Sequence, residues 1–366
     1  MKRASVLLLS LALAGCSPTP SKPIITTGDP AAAEPPPVFA PASGTADVND
    51  ITLFLAGKAV HHGASLSQMQ MTANYKSYSD SMRYRWRYYA SRRTLKQSMW
   101  SDENLAPTIG SPGTLLYPFG GPDLLHAIGM FPHTSTYVLL GLEPAGSLPM
   151  LEGQDPGAVL GALSQLSRSV DTQLKVGYFI TKDMRGDLAN GPLQGVTPIL
   201  LSTIGLMNGT VQNIQSLSAG GKPAVQIDFR IPGSGSKRVI YVSGDLSNSG
   251  FNGGYRSWLS SYGGSVAYFK AASYLMHDDG FSGIRNFVLS NCHAVVQDDS
   301  GIPFRYYSGW QTKLFGSYDT PIELFANHGQ ADLRAAYAAA GPVPQVPFGS
   351  GYQVRGSNAN LQLFKR

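Results

Sequence analysis

Thr114–Gly146, TLLYPFGGPDLLHAIGMFPHTSTYVLLGLEPAG, decides the fold. The apolar run Thr114–Phe119 predicts a strand. Gly120-Gly121-Pro122-Asp123 predicts a turn, Leu124–Met130 a helix, and Tyr137–Leu142 a second strand running into Glu143. Pro122 falls in the first helical turn, where its missing N–H is not needed, and Asp123 complements the positive end of the helix dipole. A strand, a helix and a strand at this spacing predict a parallel pair joined by a crossover.

The same alternation continues on both sides. From Asp50 to about Trp100 the pattern is helical, with Ser79-Asp80 as a candidate cap for SMRYRWRYYASRRTLKQSMW. Ala158–Leu174 and Pro198–Leu217 read as helices. AVQIDFRIP (Ala224–Pro232) and KRVIYVSGDLSN (Lys237–Asn248) read as a hairpin across Gly233-Ser234-Gly235-Ser236. YRSWLSSYGG reads as a short helix, SVAYF as a strand, FSGIRNFVLSN as a helix and CHAVVQ as a strand. GIPFRYYSGWQTKLFGSY then turns into an antiparallel edge strand. Asp319–Ala340 reads as the last helix, and the tail from Val346 as Gly-rich coil with short extended pieces.

The expected fold is therefore α/β and Rossmann-like: a mostly parallel sheet with flanking helices and an antiparallel edge strand. It forms one globular domain over residues 48–366, with a helical N-terminal part over 48–110. In open sheets of this kind ligands lie beyond the carboxyl ends of the strands. Asp123, Glu143, Asp245, Ser273, Asp298, Asp299 and Ser300 all follow apolar strands, so they are expected on one rim. His126 on the Asp123 helix, Arg305 and Tyr307 complete the candidate ligand-binding set.

Asp298, Asp299 and Asp245 are the candidate catalytic residues. Asp298 and Asp299 are also the candidate ligands for a divalent metal, since carboxylates bind hard cations and serve as general bases. Neighbouring strand residues point to opposite faces, so only one of the two is expected to enter a site. The plainer reading of both acids, and the favoured one, is a polar turn closing on its own amides. Cys292-His293 make a poor catalytic pair for the same geometric reason. His133, His277 and His61-His62 have no partner signature, and neither G-x-S-x-G nor H-E-x-x-H occurs.

An acidic residue about 20 positions beyond a Gly-rich strand–helix turn is the arrangement that holds a ribose hydroxyl in dinucleotide folds. The unit from YPFGGPD to GLEP resembles the first βαβ unit of class I S-adenosylmethionine methyltransferases. It departs from them in lacking G-x-G-x-G and in placing Tyr117-Pro118-Phe119 where they have an acidic strand end. Export argues further against S-adenosylmethionine or NAD as cofactor.

That export is read from the first residues. Met1-Lys2-Arg3 precedes a short apolar run ending in Leu13-Ala14-Gly15-Cys16. A membrane-spanning helix needs roughly 20 apolar residues, so this run reads as a signal sequence, residues 1–15. LAGC resembles the lipobox of bacterial lipoproteins, which implies acylation of Cys16 and a lipid bilayer as partner. Ser17 resembles the residue that sends such proteins to the outer membrane, facing the periplasm. Residues 17–47 hold eight prolines and read, with Cys16, as a tether. Removing Lys2 and Arg3 lowers the formal net charge from +5 to +3. Two cysteines exclude a disulfide framework, and 43% hydrophobic residues exclude a wholly disordered chain. Arg83–Lys96, with basic and aromatic residues interleaved, is a candidate contact for an anionic envelope component, or else a packing helix. Export argues against nucleic acid.

FLAG (Phe54–Gly57), YPFGGPD, GLEPAG and QDDSGIP together resemble an uncharacterised family of bacterial envelope lipoproteins, over most of residues 50–350. The expected function is a membrane-anchored lipoprotein binding a small molecule or envelope component at its strand rim. The alternatives are a metal-assisted periplasmic hydrolase and a non-catalytic interaction scaffold.

Overall fold

A computed structural model describes residues 36–179 and 191–366. The signal sequence, Cys16 and the first part of the tether lie outside the described residues. Pro36–Asp47 carry no regular structure, yet the chain is already docked there. Phe39 packs edge-on against Tyr75, with ring centroids 5.5 Å apart, and the Ala42 amide donates to Ser67 Oγ.

Helices come first: α1 (Val48–Leu55), α2 (Ala64–Gln70), α3 (Ala73–Tyr89), a wide π turn (Ala90–Thr94), α4 (Leu95–Asn104) and α5 (Ala106–Ile109). Thr72, not Ser79-Asp80, caps α3, its Oγ1 accepting from the Tyr75 amide. Ser79 lies inside the helix and donates to the Gly57 carbonyl, a use for a buried hydroxyl that the sequence does not signal.

The expected strand–helix–strand unit comes next as β1 (Thr114–Tyr117), α6 (Leu124–Met130) and β2 (Thr136–Gly141). Beyond it lie α7 (Pro156–Val176) and α8 (Thr197–Leu206). The helix expected to run to Leu217 stops at Leu206, because Asn208 turns left-handed (φ 57°) and Gly209 comes after it. The chain continues as β3 (Thr210–Ala219), antiparallel to β4 (Lys222–Ile231), which pairs in the expected hairpin with β5 (Gly235–Ser243). The order then runs α9 (Gly253–Ser260), β6 (Val266–Phe269), α10 (Ser282–Asn291), β7 (Ala294–Gln297), β8 (Gln311–Gly316), α11 (Ala331–Ala340) and β9 (Asn360–Lys365).

All nine strands of the described residues join one mixed sheet, ordered β3-β4-β5-β2-β1-β6-β7-β9-β8. The five central strands β5-β2-β1-β6-β7 are mutually parallel, and β3, β4, β8 and β9 add antiparallel wings. Parallel pairing is thus confined to the centre, which corrects the expectation of a mostly parallel sheet. The antiparallel edge strand is β8, but the coil expected beyond Val346 ends in β9, inserted between β7 and β8.

Side chains of the central strands alternate between two cores, which is why these strands read as continuous apolar runs. Leu115, Tyr117, Tyr137, Leu139, Val266 and Tyr268 face the core built on α1, α3, α4 and α6 to α8. Leu116, Val138, Leu140, Ala267 and Phe269 face the other, built on α9 and α10. The crossover from β1 to β2 therefore leaves on one face, and those from β5 to β6 and β6 to β7 on the other. The reversal falls between the adjacent strands β1 and β6. Among the described residues no helix is long and apolar enough to cross a membrane.

Candidate functional site

The loops leaving β1 and β6 meet over this reversal point. Asp123 caps α6 just beyond β1, and Lys270 is the first residue after β6. Lys270 Nζ lies 2.6 Å from Asp123 Oδ2, with Asp123 1% and Lys270 3% exposed. Lys270 also donates to the Gly177 carbonyl at the end of α7.

Asp123 is saturated by donors. Its carboxylate accepts from His126 Nδ1 at 2.7 Å, Gln173 Nε2 at 2.7 Å, Tyr117 Oη at 2.9 Å and the His126 amide at 3.4 Å, besides Lys270. Burial alone would raise this carboxyl, but His126 and Lys270 hold it far below the carboxylate range. An ionised carboxylate only accepts, so His126 Nδ1 carries the hydrogen and Nε2 is left to accept from Tyr89 Oη, 3.1 Å away. Burial pushes His126 down to about 4, against the pull of Asp123, so the ring is neutral at pH 7. Burial likewise lowers Lys270.

A second polar group lies beside the first, beyond β7. Asp298 accepts from the Ala271 amide at 3.0 Å and from the Ser300 amide and hydroxyl at 2.9 and 2.5 Å. Ser300 Oγ in turn accepts from the Ala272 amide at 2.8 Å. Asp299 points elsewhere, accepting from Tyr274 Oη at 2.5 Å and Asn360 Nδ2 at 2.9 Å. Burial and the neighbouring Asp299 push Asp298 up to about 6; burial raises Asp299 as well. Gly351 (φ 58°) seals the group from above, since a Cβ there would lie 1.7 Å from Asp298 Oδ2.

Backbone strain gathers at the same place. Of the five non-glycine residues with positive φ among the described residues, Phe119 (62°) is in the β1 loop. Ala271 (53°), Ser273 (51°) and Tyr274 (55°) are in the β6 loop, and the fifth, Asn208, merely ends α8. Tyr352 holds the β6 loop in shape: its hydroxyl takes the Ser273 amide at 3.0 Å, meets Ser273 Oγ at 2.8 Å and donates to the Ala271 carbonyl at 3.0 Å. Around Tyr274 stand other rings: His328 stacks on it at 4.9 Å, Phe325 lies at 4.9 Å, His277 at 5.2 Å and Tyr352 at 6.4 Å. Burial and His328 push His277 down to about 4. Ser273 is exposed at the mouth of this aromatic wall.

The residues expected on one rim divide accordingly. Asp123 and His126 form the first group and Asp298, Asp299 and Ser300 the second, the two bridged by the β6 loop. Glu143 is buried at the end of β2 and accepts from Tyr241 Oη at 3.1 Å. Asp245 is exposed and closes its own turn on Ser247. It stands at the end of β5, four strands from β7, or about 19 Å at the usual strand spacing. The structure therefore does not bring Asp245 to Asp298 and Asp299. Both oxygens of each of those acids already have protein donors. Among the described residues no three His, Cys, Asp or Glu side chains are grouped to hold a metal ion. Tyr307 is buried, stacked at 3.5 Å on Phe364 and donating to Gln297, while Arg305 is exposed over Tyr306. His133 pairs at the surface with Asp102, at the opposite end of the sheet.

Sequence reasoning missed Lys270, Gln173, Tyr274, Tyr352, His328 and Asn360. Of these only Lys270 carries a local signal, a lone charge directly after the apolar VAYF in a chain with 14% charged residues. Compared with protein-family models, curated proteins and solved structures, the chain matches none.

Proposed function

We propose that this chain binds a small molecule or envelope component at the strand C-terminal rim of a Rossmann-like sheet, where the β1 and β6 loops meet. One observation carries the reading. Four of the five strained non-glycine residues occupy the two loops that flank the reversal of the sheet, where open α/β sheets hold ligands. Left-handed backbone at bulky residues persists only where the surroundings enforce it, and such strain concentrates at ligand sites. The buried Asp123–Lys270 pair supports the loops from below. The exposed Ser273 and the partly exposed rings of Phe325, His328 and Tyr352 face the ligand, with buried Tyr274 behind them. Aromatic rings beside hydroxyls and acids suit a sugar or peptide fragment of the envelope.

The apolar run ending at LAGC supports the rest of the proposal: a lipoprotein held in the outer membrane by acylated Cys16, with its body in the periplasm. The hydrolase reading has less support, because Asp245 stands apart from Asp298 and Asp299 and their oxygens are occupied. A scaffold without a ligand leaves the strain unexplained.

The test is the thermal unfolding of the full chain with cell-wall muropeptides, free sugars, nucleotides and divalent metals. A ligand at about 100 times its Kd stabilises by about 2.7 kcal/mol, a shift of a few degrees. The expected result is a shift with wall fragments that weakens in Ser273→Ala. A shift with divalent metal alone, lost in Asp298→Asn, would favour the hydrolase. No shift with any class would overturn the binding site.

A further inference from the structure

The long helical rod at the start of the fold exposes a face that mixes apolar and basic side chains. One side of α3 rests on α7, where Arg85 reaches Ser167 and Asp171, each at 2.9 Å. The outer side exposes Tyr84 (72%), Tyr88 (50%), Leu95 (42%) and Met99 (63%), four of the largest apolar side chains left in solvent. They succeed one another at intervals of four, seven and four residues along the rod. Between them stand the exposed cations Arg87, Arg92 and Lys96. Arg92 lies over the Tyr88 ring, 4.1 Å from its centroid, which keeps charge and aromatic surface together.

We propose that this face lies on an anionic lipid surface. Cations alone would suit any polyanion. Exposed Leu95 and Met99 beside two tyrosines favour a partner with an apolar layer beneath its charge, the arrangement that seats helices in a bilayer interface. The course of the chain agrees. Phe39 docks on Tyr75 near the start of α3, so the upstream segment joins the body about 14 Å of helix from Tyr84. The inference does not rest on the binding proposed at the β1 and β6 loops.

The experiment uses the full chain with Cys16→Ser, so that a polarity-sensitive thiol dye reacts at one introduced position; Cys292, 1% exposed, is shielded. One variant carries Met99→Cys and another Val354→Cys, an exposed site on a different part of the fold. Vesicles of phosphatidylcholine with about 30% phosphatidylglycerol should shift the Met99 label to the blue and leave the Val354 label unchanged. Each basic residue at an anionic surface is worth about a factor of five, so Arg92→Gln with Lys96→Gln should weaken the vesicle affinity roughly thirtyfold. A silent Met99 label overturns the proposal, as does an equal shift of both labels or an equal response to pure phosphatidylcholine. An equal response to a soluble anionic polysaccharide overturns it in favour of a glycan.

Discussion

Lys270 Nζ and Asp123 Oδ2, 147 residues apart in sequence, lie 2.6 Å from each other and join the loops on either side of the sheet reversal. Each loop is strained, and the pair is where they are tied. Removing one partner leaves an uncompensated charge in the core. Lys270→Met should therefore lower stability by about 3–5 kcal/mol, measured by urea unfolding. Asp123→Asn added to Lys270→Met should recover part of that loss. A double variant as unstable as the sum of the singles would show that the two residues act separately.

The pH dependence of stability carries two opposing signs. His126 is held near 4 in the fold against 6.5 when free, so the unfolded chain takes up a proton that the fold refuses. Its contribution is lost as pH falls from about 6.5 toward 4. Asp298 is held near 6 against 3.8, so the fold keeps a proton there that the unfolded chain releases. Its contribution is full below 3.8 and lost as pH rises through 6. Each amounts to about 3 kcal/mol. Asp298→Asn removes the second contribution, so its urea midpoint should fall more steeply than that of the parent between about pH 6 and 4. An unchanged slope would mean that Asp298 is ionised throughout this range.

Ala271 holds a left-handed backbone that glycine adopts without strain. Ala271→Gly should raise the stability of the unliganded chain by about 1 kcal/mol and weaken ligand capture, read by urea and ligand titration. A loss of stability would mean that the methyl group contributes more through packing than its backbone costs.

Gly351 is the converse case. Its φ of 58° and the 1.7 Å approach of a hypothetical Cβ to Asp298 leave no room for a side chain. Gly351→Ala should destabilise by about 3 kcal/mol. It should also free Tyr352 from the β6 loop, read as faster amide exchange at Ser273, whose N–H Tyr352 accepts. Protection unchanged at Ser273 would separate the two.

Much of this is legible from single stretches. Two apolar runs around YPFGGPD specify β1, α6 and β2, and Asp123 three residues before His126 puts both on one helical turn. The hidden part is long-range. Nothing near Lys270 indicates Asp123, and nothing near Asp299 indicates Asn360, 61 residues on. The strand β3 reads as helix because ILLSTIGL runs straight into it. As an edge strand with several exposed residues, β3 lacks the apolar signature of the centre. The rim rule gathers residues by strand end but is blind to their lateral separation, so it groups Asp245 with acids four strands away.

The insertion of β9 between β7 and β8 also has a consequence for the order of assembly. Until Asn360–Lys365 arrives, β7 has a bare edge and β8 has no neighbour, because among the described residues β9 is the only strand bonded to β8. Closing a loop of about 60 residues is slow relative to the local pairing of β3, β4 and β5. The half of the sheet beyond β6 should thus close late and expose an adhesive apolar edge at Val295 and Val296 meanwhile. Asn360 arrives on that same strand, so Asp299 acquires its partner only at this step. The polar group beyond β7 would then be finished after the scaffold, one strand later than the sheet that carries it.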